Sequence, residues 1–183
     1  MTANTVKIFK LVLLLIVGFV LFIFAASFMV NPDISTERSI EIDQPKDVVF
    51  EYIRHLRNQD DYSPWAAMDP NMKQEFRGTD GTVGFISAWE GEETGKGEQE
   101  IVGIIDGERI DFKLRFFEPF ESQADVYMIT DSLSENRTRV TWGLESSMNR
   151  PMNLMLLFMN MEEAIGNDYD EGLEKLKEIL EGD

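Results

Sequence analysis

The sequence predicts an α+β domain, with helices covering one face of a curved antiparallel sheet, preceded by one transmembrane helix. Three observations predict it. Residues 11–30 carry no charge, residues 74–145 fall into short β-rich runs broken by turns, and from Leu154 to Leu180 apolar residues recur at helical spacing.

The run LVLLLIVGFVLFIFAASFMV at 11–30 is twenty residues long. At about 1.5 Å per residue it spans the ~30 Å hydrocarbon core of a bilayer, and a helix satisfies its own backbone hydrogen bonds there. Lys7 and Lys10 precede the run, and Asn31, Pro32 and Asp33 follow it. By the positive-inside rule, residues 1–10 stay cytoplasmic and the remainder lies on the outer, periplasmic or extracellular side. A cleaved signal peptide competes, because Ala25-Ala26-Ser27 has the form of a small-residue cleavage site; the product would then be secreted. A buried core helix is a third reading. The apolar stretch exceeds the ~7–15 residues of a signal, which favours the anchor.

Pro32 ends the helix, and residues 31–36 form a short linker. Residues 37–183 show no second linker, repeat or low-complexity tract, so they form one domain. Arg38 to Asp43 alternates polar and apolar, as a half-buried strand does. Pro45 opens a helix in which Val48, Val49, Tyr52, Ile53 and Leu56 share a face. A turn region with Trp65 follows. The β-rich runs are 74–77, 82–89, 98–105, 109–117, 124–131 and 138–145, an antiparallel meander. Within them Phe112, Leu114 and Phe116 face one way and Asp111, Lys113 and Arg115 the other, so one face is covered and one is wet. Pro151 begins a helical section whose stripe runs through Leu154, Met161, Ile165, Tyr169, Leu173, Leu176 and Leu180. Gly166-Asn167 interrupts that stripe, which predicts a kink or a restart.

Charge and composition exclude several functions. Of 17 basic and 34 acidic residues, only Lys7 and Lys10 lie in the first thirty, so the rest carries a net −19. Such a polyanion repels phosphate backbones, and no nucleic-acid partner is expected. With no cysteine and one histidine (His55), thiolate catalysis, zinc ribbons and multi-histidine metal sites are removed, and neither a metal nor a cofactor is expected.

Five stretches together resemble the SRPBCC, or START–Bet v 1-like, superfamily. They are RSIEIDQPKDVVFEYI at 38–53, SPWAAMDPNM at 63–72, VGFISAWEG at 83–91, GKGEQEI at 95–101 and MEEAIGNDYDEGLEKLK at 161–177. The resemblance is strongest to the bacterial polyketide cyclase/dehydrase-like subfamily, whose members often carry an N-terminal membrane helix. It implies a helix-grip fold: about seven antiparallel strands around a long C-terminal helix, with an apolar cavity between them. Because the superfamily includes carriers, ligand binders, cyclases and co-chaperones, the fold does not select the activity. No catalytic residue transfers.

Trp89, Phe112, Phe116 and Trp142 fall on the strand positions assigned to the concave face. They are expected to line a site for an apolar small molecule or lipid, although core packing has the same periodicity. LMLLFM at 154–159 is apolar on every side of a helix, and Met155 and Met159 bring flexible thioethers. This segment is either a pocket wall or entrance facing lipid, or buried core. The acid pairs read as solvated faces, and no Ca²⁺-type or phosphate-binding loop is present.

The expected function is a membrane-anchored carrier or sensor of an apolar small molecule or lipid, more readily non-catalytic. The alternatives are a cyclase or dehydratase, for which Glu98, Tyr127 or His55 could serve as acid or base, and an acidic module recruiting a basic protein.

Overall fold

The computed structural model describes residues 3–182. Its first helix, α1 (Ala3–Ser27), contains the candidate span Lys7–Ser27, 21 residues of mean hydropathy 3.0. The helix is long and apolar enough to cross a membrane, and its most apolar stretch is not buried against protein. It stops at Ser27, short of the expected Val30, because the chain turns at Phe28–Met29 and the Ser27 hydroxyl donates back to Phe24 O at 2.6 Å.

The chain forms two compact units. One comprises α1 with the residues up to Asp33 and Met148–Asn160; the other comprises Ile34–Ser147 and Met161–Asp183. The second segment of the first unit corrects an expectation. The stripe beginning at Leu154 predicts the start of the terminal helix there. Instead Met152–Leu157 is a 3₁₀ helix, and helical structure resumes only at α5 (Met161–Glu181). Asn153 explains the interruption, because its side chain is committed to α1: Nδ2 donates to Ser27 O at 2.8 Å and to Val30 O at 2.9 Å.

The second unit holds the sheet. Its strands are β1 (Asp33–Ile42), β2 (Lys73–Arg77), β3 (Ile86–Gly91), β4 (Gly95–Ile105), β5 (Arg109–Glu118), β6 (Ser122–Ser134) and β7 (Arg137–Ser147). They form one seven-stranded sheet in the order β1-β7-β6-β5-β4-β3-β2, a meander closed by the first strand lying beside the last. Four helical pieces separate β1 from β2: α2 (Lys46–Arg54), a 3₁₀ turn (Leu56–Asn58), α3 (Gln59–Tyr62) and α4 (Pro64–Met68). β1 begins five residues before Arg38. β3 begins four residues after Thr82, because Gly78, Gly81 and Gly84 all adopt positive φ and make 78–84 a loop.

Alternation sorts the two faces. Ile101, Ile110, Phe112, Val126, Met128, Val140 and Trp142 are buried on one face, beneath Val49, Phe50 and Ile53 of α2 and Tyr169, Leu173 and Leu176 of α5. The opposite face carries cross-strand ion pairs. Arg115 donates to Glu98 at 3.1 Å and pairs with Glu100 at 2.8 Å, Arg77 also contacts Glu98, Lys113 contacts Asp125, and Arg139 contacts Glu41. α5 runs through Gly166-Asn167 without interruption, so the helix does not restart there. That glycine accommodates a partner rather than breaking the helix: a Cβ there would collide with the Arg38 guanidinium, whose Nε donates to Asp170 at 3.0 Å.

Candidate functional site

The covered face of the sheet has two differently filled ends. On β5–β7 it is closed by an aromatic cluster. Trp142 is 1% exposed and stacks on Tyr169 of α5, with ring centroids 4.4 Å apart and planes 13° from parallel. Tyr62 and Trp65, delivered by the short helices between α2 and β2, meet the Trp142 ring edge-on at 5.8 and 6.2 Å. This geometry requires Gly172, where a Cβ would lie 2.9 Å from the Trp142 ring and 3.2 Å from Tyr62 O. Burial pushes the Tyr62 and Tyr169 phenols well above their ordinary value, and Tyr52, beside Asp61, is pushed up to about 12 by burial first and that carboxylate second.

On β3–β5 the same face is only half covered. Trp89 lies directly across the ladder from Gly97, whose missing side chain leaves room for the indole, and Gly97 in turn pairs with Phe116. Trp89 and Phe116 meet edge-on at 5.8 Å, and both are half-buried. Trp89 Nε1 donates to Thr94 O at 3.3 Å, fixing the indole at the β3–β4 turn. Asp69 holds this turn from the far side by accepting from Glu93 N at 3.1 Å. Two residues from Gly97, on the same face and paired with Leu114 and Ser87, stands Gln99. Its Nε2 is sealed from solvent and has no partner among the described residues. An unmet buried amide donor costs about 1–3 kcal/mol, and the Trp142 indole Nε1 is likewise buried without a partner among those residues. Nearby on the helical layer, burial raises the Asp60 carboxyl above the usual carboxylate range, while its hydrogen bond from Gln74 works against that shift.

The structure therefore separates the expected ligand-binding residues. Trp89 and Phe116 are brought together at the half-covered end. Phe112, 2% exposed, and Trp142 lie in the packed part of the same face. Met155 and Met159 belong to the first unit, and both are exposed. Gln99 and Trp65 were not singled out from sequence. The available signal for Gln99 was its phase: a polar side chain in step with Gly97 and Ile101 on a buried face. The groups considered for acid–base chemistry are engaged separately. Glu98 is bound by Arg77 and Arg115 on the outer face, the Tyr127 hydroxyl donates to Glu37 at 3.0 Å, and His55 lies between Glu51 and Asp80 at 3.2 and 3.5 Å. No group of three or more His, Asp or Glu among the described residues could hold a metal ion. A depression of ≈ 350 Å³ opens elsewhere, and its lining mixes Lys46, Glu108, Arg109 and Asp131 with Ile105 and Ile129.

Comparison with solved structures gives the same architecture. Protein CV1439 from Chromobacterium violaceum aligns with a TM-score of 0.57 at 14% identity, over 81% of this chain and 98% of that one. Ara h 8.0201 aligns with a TM-score of 0.57 at 9% identity, over 82% of this chain and 99% of that one. The di-domain ARO/CYC protein BexL from the BE-7585A biosynthetic pathway aligns with a TM-score of 0.56 at 13% identity, over 80% of this chain and half of BexL. No protein-family model and no curated protein matches the sequence. The chain thus has the helix-grip fold of START- and Bet v 1-like proteins, with an apolar N-terminal helix in front of it.

Proposed function

We propose that this chain is a membrane-anchored binding protein for an apolar small molecule or lipid that carries an oxygen acceptor. α1 is the anchor, with the N-terminus cytoplasmic and the helix-grip domain on the outer side. The observation that carries the binding reading is the half-covered end of the sheet. Trp89, Phe116 and Leu114 offer apolar area there, worth roughly 25 cal/mol per Å² buried, and Gln99 Nε2 offers one unmet donor to orient a carbonyl, hydroxyl or carboxyl oxygen. Phe112 and Trp142 belong to the packed part of the same face. A cyclase or dehydratase would need an acid and a base converging on one bound chain, and Glu98, Tyr127 and His55 are each held elsewhere.

Native mass spectrometry of the full chain, released from detergent micelles, tests the reading. The wild type is expected to retain an additional small mass. Gln99→Leu and Phe116→Ala, with circular dichroism unchanged, should lower its occupancy, the first by about tenfold for one charge-neutral hydrogen bond. An empty wild-type chain, or occupancy indifferent to both substitutions, would overturn it.

A further inference from the structure

From Met148 to Asn160 the only charged residue is Arg150, and the only buried one is Asn153. The outward side chains are large and apolar: Phe158 is 88% exposed, Leu157 62%, and Met155 and Met159 nearly half. Beside them in the same unit, Phe28 and Met29 are 62% and 90% exposed. Patches of this kind are not left in water without an occupant.

The backbone at this point identifies the occupant. A helix leaves its last four carbonyls without intrahelical partners, and side chains, a tightened last turn or water must take them. Here each is answered by protein. Phe24 O accepts from the Ser27 hydroxyl, Ala25 O from Phe28 N at 3.2 Å, and Ala26 O from Met29 N at 3.0 Å. Ser27 O accepts from Asn153 Nδ2 at 2.8 Å and from Arg150 Nε at 3.4 Å. Two carbonyls beyond the helix are met by the same segment: Val30 O by Asn153 Nδ2 and Pro32 O by Met148 N, at 2.9 Å each. A helix end needs this full accounting where water is scarce, as at the edge of the hydrocarbon. The Arg150 guanidinium stacks over Phe28 at 4.8 Å from the ring centroid, on the rim between apolar surface and polar backbone.

We infer that Met148–Asn160 is a membrane-interface foot: a 3₁₀ segment locked to the end of α1 by Asn153, which inserts Leu157, Phe158, Met155 and Met159 into the outer leaflet beside the span. Its occupant is the bilayer itself. The patch belongs to the same unit as the apolar surface of α1, with Arg150 as its one charge, and this inference rests on the anchoring reading above. Because the segment carries one cation on a strongly acidic protein, insertion is driven by apolar burial and is insensitive to salt.

The chain has no cysteine, so single cysteines can be labelled with the fluorophore NBD in full-length protein reconstituted into phosphatidylcholine vesicles. The sites are Leu157→Cys and Phe158→Cys in the foot, Val20→Cys in α1, and Glu135→Cys in the exposed β6–β7 turn as the reference. Nitroxides carried near the lipid headgroups are expected to quench the foot labels at least about twofold more than the reference, at low and high salt alike. Nitroxides deep in the acyl chains should quench Val20→Cys. Quenching at Val20→Cys with none at the foot overturns the foot and leaves the anchor standing. Absence at both sites overturns the anchor and the foot together. Foot labels shielded from aqueous iodide yet untouched by lipid nitroxides would mean that protein, such as a second copy, covers the patch, which also overturns the inference. In Asn153→Ala the Phe158→Cys label should lose its fixed depth, spreading its quenching between shallow and deep nitroxides; an unchanged profile removes Asn153 as the lock.

Discussion

Each of the four tyrosines, Tyr52, Tyr62, Tyr127 and Tyr169, holds its phenol above the ordinary value near 10, with burial as the largest cause in every case. Neighbouring carboxylates add to it at Tyr52 (Asp61) and at Tyr127, whose hydroxyl donates to Glu37. A raised folded value means that the folded state binds the phenolic proton more tightly than the unfolded chain does. Stability from this source is complete below the unfolded value of about 10 and is lost as pH rises through the folded values. The native protein is therefore expected to show little tyrosinate absorbance at 295 nm at pH 10. Absorbance should then rise together with loss of circular dichroism, as unfolding returns the phenols to their ordinary value. Titration of all four near pH 10 with the fold intact would contradict the burial described here. Asp60 and Asp168 shift in the same direction for the same reason, so their protonated forms favour the fold and they subtract stability at neutral pH.

At the scale of elements, α5 shows how local sequence and packing agree. Tyr169, Leu173 and Leu176 are buried at helical spacing, while Asp170, Glu174 and Glu178 face water. Gly172 completes that face by letting the helix approach the Trp142 ring, which explains a glycine inside a helix where alanine has the better propensity. Leu176, 0% exposed, is the position to test. Leu176→Asp buries an unpaired carboxylate at a cost of several kcal/mol, comparable with the ~5–15 kcal/mol stability of a whole domain. The expected outcome is loss of the cooperative thermal transition, read by circular dichroism. An unchanged Tm would mean that the grip between helix and sheet contributes nothing. The outer-face ion pairs are a different case: they are part-exposed, each is worth little, and together they keep one sheet face wet.

For the whole molecule the charge distribution makes the prediction. Lys7 and Lys10 are the only charges before Asp33, and net −19 follows the span. A reporter fused after Asp183 is expected to be active on the outer side of the membrane, and replacing both lysines by Glu should mix the orientations. Activity of the wild-type fusion in the cytoplasm would reverse the proposed topology, and a soluble processed product would show that the apolar helix is a cleaved signal.

What the sequence determined by itself was everything that depends on period and composition. The uncharged run marked α1; two-residue alternation at Phe112–Leu114–Phe116 and Val140–Trp142–Leu144 marked which strand face is covered; and the three-to-four spacing of Tyr169, Leu173 and Leu176 marked the docking face of α5. These are legible because burial acts on side chains at a fixed repeat along the chain. Only the tertiary structure decided what depends on meetings between distant residues. Periodicity put Trp89 and Trp142 on one face, but the stack on Tyr169 and the edges of Tyr62 and Trp65 closed one end of it and left the other half-covered. The same holds for LMLLFM at 154–159, whose composition suits a helix core as well as a lipid surface. Asn153, reaching carbonyls more than a hundred residues earlier in the chain, turned that stretch into a 3₁₀ segment on α1 instead of the first turns of α5. A hydrogen bond of that range leaves no periodic trace, because its partners share no local repeat.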